Sequence, residues 1–443
     1  MLLDRELVRA DLVVDHGVIT SISQDQARSR ATDEIDATGK VVLPGVIDSH
    51  VHFREPGYTY KEDFLTGSRA AAAGGITTVV DMPNTEPPPD TLELFEQHRQ
   101  LAAASSLVDF NHWAMPTKLG EIPRIANAGA VGFKFFMKSA HYPYDGPISL
   151  VNHATILECF RAIAATGLPC LVHPHNQMLW EHRVAAWSAA GKVSPDDWNE
   201  VTYGDEDVVE TTAIAVVALL ANAVGLRLRI LHIQGQPQIR VVRMLKAARY
   251  DFVAETNPWA VFLIDPLARR AAGDEEANWE ALRDGTIDLI GSDHAPHSRA
   301  EQEQAQQSSL QSVIAAYPLC EHWLSLYLTE VNRGRLPLAR LSSLASETVA
   351  RQIGLYPRKG IIRIGSDADL VVVDMDREAT LGGSYPVFSK MGFTPLEGRK
   401  VRGIPVATVV RGEVVMRNLE VIGKPGFGKF VAPVRKGGGH GDL

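Results

Sequence analysis

Cysteine is scarce in this chain: Cys159, Cys170 and Cys320 are its whole complement in 443 residues. They lie far apart and without C-x-x-C spacing, which argues against a disulfide framework or a cysteine-built zinc site and fits a reducing cytoplasm. An excess of basic charge is also missing. The formal net charge is −9, and no basic stripe or long basic tail breaks it, so neither a nucleic-acid surface nor an anionic membrane is an expected partner. No uninterrupted apolar run reaches membrane-spanning length, and the opening Met1-Leu2-Leu3-Asp4-Arg5-Glu6 lacks the basic segment and apolar core of an export signal. A dinucleotide fingerprint is absent too, because Ala72-Ala73-Gly74-Gly75 precedes a strand-like run instead of following one. The expectation is a cytoplasmic protein that acts on a small molecule.

The composition, 45% hydrophobic and 22% charged, suits one large domain with a smaller companion. From Val41 onward, β-branched runs alternate with amphipathic stretches. Strands are expected at Val41–Ile47, Thr77–Asp81, Val108–Ala114, Val131–Phe136, Pro169–His173, Leu226–His232, Asp251–Glu255 and Thr286–Gly291. Helical patterns lie between them, and one from Ser309 to Leu328 follows the last. Eight such units imply a parallel sheet closed into a (β/α)8 TIM barrel, an α/β fold. The two ends carry strands separated by turn residues, as in Asp367-Ala368-Asp369-Leu370-Val371-Val372-Val373. The expected division is therefore a barrel over 44–355 and a small β-sandwich domain formed by both termini, 1–43 and 356–443, with a mobile end to the glycine-rich tail. The apolar stretches Thr212–Leu220 and Val313–Leu328 suit either a subunit contact, giving a homo-oligomer (dimer or tetramer), or packing of barrel against companion.

The chemistry concentrates in Asp48-Ser49-His50-Val51-His52-Phe53-Arg54. Alternate residues of a strand share a face, so His50 and His52 point the same way, and a cation between two neutral imidazoles would offset the cost of burying them. Two satisfied histidines at a strand end are the plainer alternative. The remaining strands decide between them, because functional side chains of a parallel barrel gather at the carboxyl ends of its strands. Strand four carries Lys134, strand five ends with His173, strand six with His232 and strand eight with Asp293. Together they point to a metal centre. Lys134 cannot ligate as an ammonium. Burial and nearby positive charge would lower its pKa, and the neutral amine could take up CO2 as a carbamate that bridges two divalent ions. A lysine extending its head out of the barrel, or paired with a carboxylate, is the other reading.

These residues belong to longer motifs. Pro44-Gly45-Val46-Ile47-Asp48-Ser49-His50-Val51-His52-Phe53-Arg54-Glu55-Pro56-Gly57 resembles the opening motif of dihydroorotase and its cyclic-amidohydrolase relatives, allantoinase and hydantoinase. Arg69-Ala70-Ala71-Ala72-Ala73-Gly74-Gly75-Ile76-Thr77-Thr78-Val79-Val80-Asp81-Met82-Pro83-Asn84-Thr85 and Gly291-Ser292-Asp293-His294-Ala295-Pro296-His297 are similar to further motifs of that family. So are Gly365-Ser366-Asp367-Ala368-Asp369-Leu370 and the run from Ser389 to Gly398. The likeness covers nearly the whole chain.

What the resemblance implies is a metal-dependent hydrolase of a cyclic amide or ureide with two divalent ions, usually zinc. His50 and His52 would hold one ion and His173 and His232 the other, with Lys134 bridging as the carbamate and Asp293 completing the first. Asp293 would also be the catalytic group that carries the proton from the attacking hydroxide to the departing ring nitrogen. Arg54, Asn84 and His297 occupy the positions that hold a substrate carboxylate in dihydroorotase-like sequences, although Arg54 could instead pair with Glu55 or Glu62. Dihydroorotase is thus the best single activity, with allantoinase or hydantoinase the runner-up. Three departures bear on the ring pocket. His175 stands where relatives usually carry an acid, Trp259 where dihydroorotases have histidine, and Ile264-Asp265-Pro266-Leu267-Ala268-Arg269 lacks the expected N-P-P-L-R pattern. His175 suits a substrate contact or an exposed loop, and Trp259 a pocket wall or a core position. A noncatalytic scaffold is the alternative of a different class, and the retention of every expected ligand argues against it.

Overall fold

The structure is a computed structural model that describes residues 1–24, 31–138, 150–262, 273–309, 313–314 and 316–434. The segment Ile264–Arg269 and the end of the tail, for which the sequence raised expectations, lie outside the described residues. Eight strands, Val46–Val51, Ile76–Asp81, Asp109–Ala114, Gly132–Phe136, Cys170–His173, Leu228–Ile230, Phe252–Thr256 and Leu289–Ile290, pair in chain order as one sheet. All its ladders are parallel. A parallel bridge between Val51 and His294 joins its two edges, and the His52 N–H donates to the His294 carbonyl at 2.8 Å. The chain is a TIM barrel, and its strands read as buried runs because helices cover the outside of the ring.

The run Val41–Ile47 is not one strand but two. Val41–Pro44 pairs antiparallel with Leu370–Thr380 in a five-stranded sheet, and Val46–Val51 enters the barrel. Gly45 makes the crossing: a Cβ there would lie 2.3 Å from the Thr77 Oγ1, so any side chain would collide with that of Thr77. One uninterrupted apolar run serves two sheets, and its composition does not mark the break. The rest of the small sheet is Lys400–Val410, Glu413–Arg417 and Glu420–Val421. The hairpin Asp11–Asp15 with Val18–Ser23 docks beside it, where Ile19 packs with Ile362, Leu370 and Val409.

Strands six and eight are shorter than expected, because the backbone leaves the ladder after Ile230 and Ile290 to deliver side chains at the barrel mouth. Of the helix expected from Ser309 to Leu328, the described residues show Trp323–Asn332 as helical. Tyr317 bridges to His294. Trp323–Leu328, the described helical part of the apolar stretch Val313–Leu328, is buried throughout and packs against Lys400–Val410. Between strands five and six, two helices occupy the connection, Gln177–Ala189 and Trp198–Val224. The second is broken at Gly204–Asp207, with Asp205, Glu206 and Asp207 at φ of 54°, 61° and 54°. Pro195–Val224 is long and apolar enough to cross a membrane by length and composition alone. Its apolar side, through Ala213, Ile214, Val217, Ala218 and Ala221, belongs to the core shared with the barrel.

Candidate active site

His50 sits one residue from the end of the first barrel strand and His52 one residue beyond it, both buried. His173 closes the fifth strand, and His232 and Asp293 follow the sixth and eighth. The barrel brings them to one point. The His50 ring lies 5.5 Å from that of His52 and 5.1 Å from that of His232, and the His173 and His232 rings are 4.5 Å apart. Asp293 is shared among them: its Oδ1 is 3.1 Å from the His50 Nε2 and 3.3 Å from the His52 Nε2, and its Oδ2 is 3.7 Å from the His232 Nε2. His232 and Asp293 hold left-handed backbone conformations, at φ of 57° and 50°, a strain that folds sustain chiefly at functional turns.

Lys134, in the middle of Gly132–Phe136, points into the same space. Its Nζ is buried with no hydrogen-bond partner among the described residues and lies 4.3 Å from the centre of the Phe136 ring. The head neither reaches solvent nor pairs with a carboxylate. Burial pushes its pKa down to about 7 against the pull of Asp293 and Glu255, so the neutral amine is available near neutrality. Burial likewise lowers His52 to about 4 and His232 to about 3, and holds His173 well below its ordinary value, each in the neutral form that ligates metal. For His50 burial acts in the same direction, but the charges of Glu255 and Asp293 outweigh it and raise the pKa to about 9. The ligand atoms of His50, His52 and Asp293 lie within 4.8 Å of one another and could hold a metal ion. An orphaned buried amine among imidazoles and a carboxylate is a donor set that fits divalent ions.

A supporting layer escaped the sequence reading. Glu255, in strand seven, bonds the His50 Nδ1 with one oxygen and the Arg229 guanidinium with the other, while Arg229 Nη1 donates to the Ser49 Oγ at 2.8 Å. Asn257 and Trp259 donate to the Asp293 Oδ2 at 3.3 and 3.1 Å. The signal for the first pair was present: Leu228-Arg229-Ile230 and Ala254-Glu255-Thr256 each place one charge inside an otherwise buried strand, and such charges must find each other.

Of the residues expected to hold a carboxylate, Arg54 and His297 meet, with the Arg54 Nη2 3.2 Å from the His297 Nε2 and the Arg54 Nε donating to the Pro296 carbonyl at 3.3 Å. The Asn84 Oδ1 lies 2.5 Å from the His52 Nδ1, and its Nδ2 is buried with no hydrogen-bond partner among the described residues. Glu55 accepts the Phe64 N–H, and Glu62 accepts from Ser389 and the Lys390 amide. The open cleft lies on the other flank. It has a cavity volume of about 50 Å³ and is lined by His173, His232 and Asp293 together with His175, Trp259, Trp198, Tyr203 and Glu210. Arg54, Asn84 and His297 are not among its lining residues. His175 is therefore no exposed loop residue; it is buried, with its Nδ1 2.9 Å from the Glu210 Oε1. Trp259 walls the cleft and is not simply a core aromatic.

A barrel with a convergent histidine, lysine and aspartate set at its carboxyl end defines a metal-dependent hydrolase class. Comparison with known proteins agrees. Residues 39–118 match the Dihydro-orotase-like family model and residues 205–415 the Amidohydrolase family model. The solved structure of an L-hydantoinase (dihydropyrimidinase) from Arthrobacter aurescens superimposes with a TM-score of 0.88 at 33% identity, covering 96% of each chain. An allantoinase from Rubrobacter xylanophilus is 33% identical over 97% of this chain and 95% of its own length. A dihydroorotase from Methanothermobacter thermautotrophicus is also 33% identical, over 99% and 97%. The chain belongs to the amidohydrolase family and is a cyclic amidohydrolase. Three ring specificities at nearly equal identity leave its own substrate to the geometry of the site.

Proposed function

We propose that the chain hydrolyses a ring C–N bond of a cyclic ureide, with His50, His52, Lys134, His173, His232 and Asp293 as the metal-holding set. The observation that carries this reading is the buried amine of Lys134, unpartnered among the described residues. Reaction of the neutral amine with CO2, with release of one proton, gives an anionic carbamate in place of an amine that would repel the ions when protonated, and the six groups then suit two divalent ions, zinc by the family expectation. When bound, such ions lower the pKa of water towards neutrality and draw electron density from a carbonyl.

The chain's own residues supply the rest. With Oδ2 held by Trp259 and Asn257, the Asp293 carboxylate can accept a proton from the attacking water and return it to the ring nitrogen as the C–N bond breaks. Water thus adds across the bond, giving an acid and a carbamoyl amine. Trp198, Tyr203 and Trp259 wall the cleft against bulk solvent. A neutral ring is the first reading because, among the described residues, the aromatic side chains of Trp198, Tyr203 and Trp259 line the cleft beside His173, His232 and Asp293. Dihydroorotate is the second reading, favoured by the cationic corner where Arg54 and Lys61 both meet His297.

The test is a substrate panel on the zinc-loaded protein comparing hydantoin, allantoin, dihydropyrimidines and dihydroorotate. Ring opening of the neutral ureides supports the proposal, preferential turnover of dihydroorotate selects the second reading, and failure on every ring overturns both.

A further inference from the structure

His175 is buried and bonded through Nδ1 to Glu210 at 2.9 Å, while its Nε2 is buried with no hydrogen-bond partner among the described residues. Leaving such an atom unsatisfied costs the folded state the desolvation of the group. The surrounding structure nevertheless holds the ring in place. The Asn176 N–H donates to the Val209 carbonyl at 3.0 Å, the Asn176 side chain caps Gln177–Ala189 through the Leu179 N–H, and its Nδ2 donates to the Thr212 Oγ1 at 3.0 Å. These bonds tie the loop carrying His175 to the helix carrying Glu210. Glu210 is anchored in turn, since its N–H donates to Asp207 Oδ1, and the Gln238 Nε2 donates to Asp207 Oδ2 at 2.6 Å. Gln238 also accepts the Gln234 N–H at 3.0 Å, so the network links the two loops that deliver His173 and His232. Whichever partner holds the shared proton, Nδ1 is occupied, His175 lines the cleft, and Nε2 is its nitrogen without a partner among the described residues.

We infer that His175, oriented by Glu210, selects the substituent on the substrate ring, its Nε2 hydrogen-bonding a carboxamide or ureido group. This rests on the cyclic-ureide reading above. Lys138, Thr202, Gln234 and Gln238 also line the cleft and offer both donors and acceptors, which matches a group that carries both. An alkyl substituent would leave His175 buried and unsatisfied, the situation in which a polar site rejects an apolar analogue most strongly.

The experiment compares two hydantoins of nearly equal size, one bearing carboxamidomethyl and the other isobutyl at the ring carbon, as a ratio of kcat/KM. The wild type should favour the carboxamide by roughly tenfold or more. In His175→Leu the ratio should fall to about one. In Glu210→Gln, which keeps the shape of the side chain, it should fall part of the way, chiefly through KM. Because the ratio is taken within each variant, a general loss of metal or stability cancels. Binding of the same two compounds to Asp293→Asn protein, measured by calorimetry, separates recognition from turnover: a His175-dependent preference in binding without turnover of any hydantoin would sink the ring-opening reading and leave this one standing. A wild-type ratio near one, or an unchanged ratio in His175→Leu, overturns the inference, and an unchanged ratio in Glu210→Gln overturns the positioning role.

Discussion

Glu255 holds His50 by the Nδ1, and both side chains are almost wholly removed from solvent. A carboxylate on the far nitrogen of an imidazole sets the tautomer, so that Nε2 is the atom a cation held here would meet, and raises its basicity. Gly291 makes room for the contact, since a Cβ there would stand 2.7 Å from the His50 Cβ and 2.9 Å from the Glu255 Oε1. Glu255→Gln should therefore weaken metal binding by roughly 10- to 100-fold. It should also leave Arg229 without its counter-charge, with a loss of stability of about 3–5 kcal/mol. Metal titration and chemical denaturation of the same preparation read the two effects, and a variant with wild-type metal affinity would show that His50 needs no orientation.

Lys134→Ala removes the one group whose neutral form the site can carboxylate. Metal content is expected to fall below two ions per chain, with turnover largely lost. A short carboxylic acid added to the buffer should restore part of both, by standing in for the carbamate oxygens. For the wild type, reconstitution from metal-free protein should be faster and more complete with bicarbonate. Two metals and full activity in the unsupplemented variant would remove the carbamate from the account.

Asp293→Asn keeps the shape of the side chain but not its capacity to accept a proton. Turnover should drop by roughly 100- to 10,000-fold, with the melting temperature little changed. Trp259→Phe keeps an aromatic wall but removes the N–H on the Asp293 Oδ2 together with one ring of the indole; a fall in kcat of roughly tenfold, the usual weight of a hydrogen bond to a charged group, is expected, with any rise in KM reporting the lost ring. A rate near wild type for Asp293→Asn at saturating substrate would mean that another group moves the proton.

Much of this site was legible because strand periodicity and barrel topology act through residue type. The two-residue step from His50 to His52 and the strand-end positions of His173, His232 and Asp293 could be read without coordinates, and the structure gathers them. Lys134 stood out because a charge sat between Phe133 and Phe135 in a buried strand. The same logic applied to Arg229 and Glu255 would have found their pair, but a charged residue in a strand names no partner until the register is known. The break at Gly45 and the left-handed run Asp205–Asp207 depend on tertiary approach and not on local pattern. The position of His175 depends on a helix, Gln177–Ala189, whose start is set by the Asn176 cap and not by a strongly amphipathic sequence.

Arg54 decides between the two readings of the ring. Its guanidinium is buried against His297, whose pKa is held well below the ordinary value by burial first and then by the charges of Arg54 and Lys61. If the substrate carries a carboxylate, Arg54→Met should reduce kcat/KM for that ring by roughly 10- to 100-fold, the weight of a lost charge-assisted bond, while a neutral hydantoin is turned over as before. The substitution also removes a positive neighbour, so the His297 pKa should rise, because protonation of the imidazole no longer works against that charge. Following the His297 ring proton by NMR in both proteins checks this directly and independently of any substrate. A raised His297 pKa with equal turnover of acidic and neutral rings would assign Arg54 to the architecture of the barrel mouth and leave the cyclic ureide as the substrate.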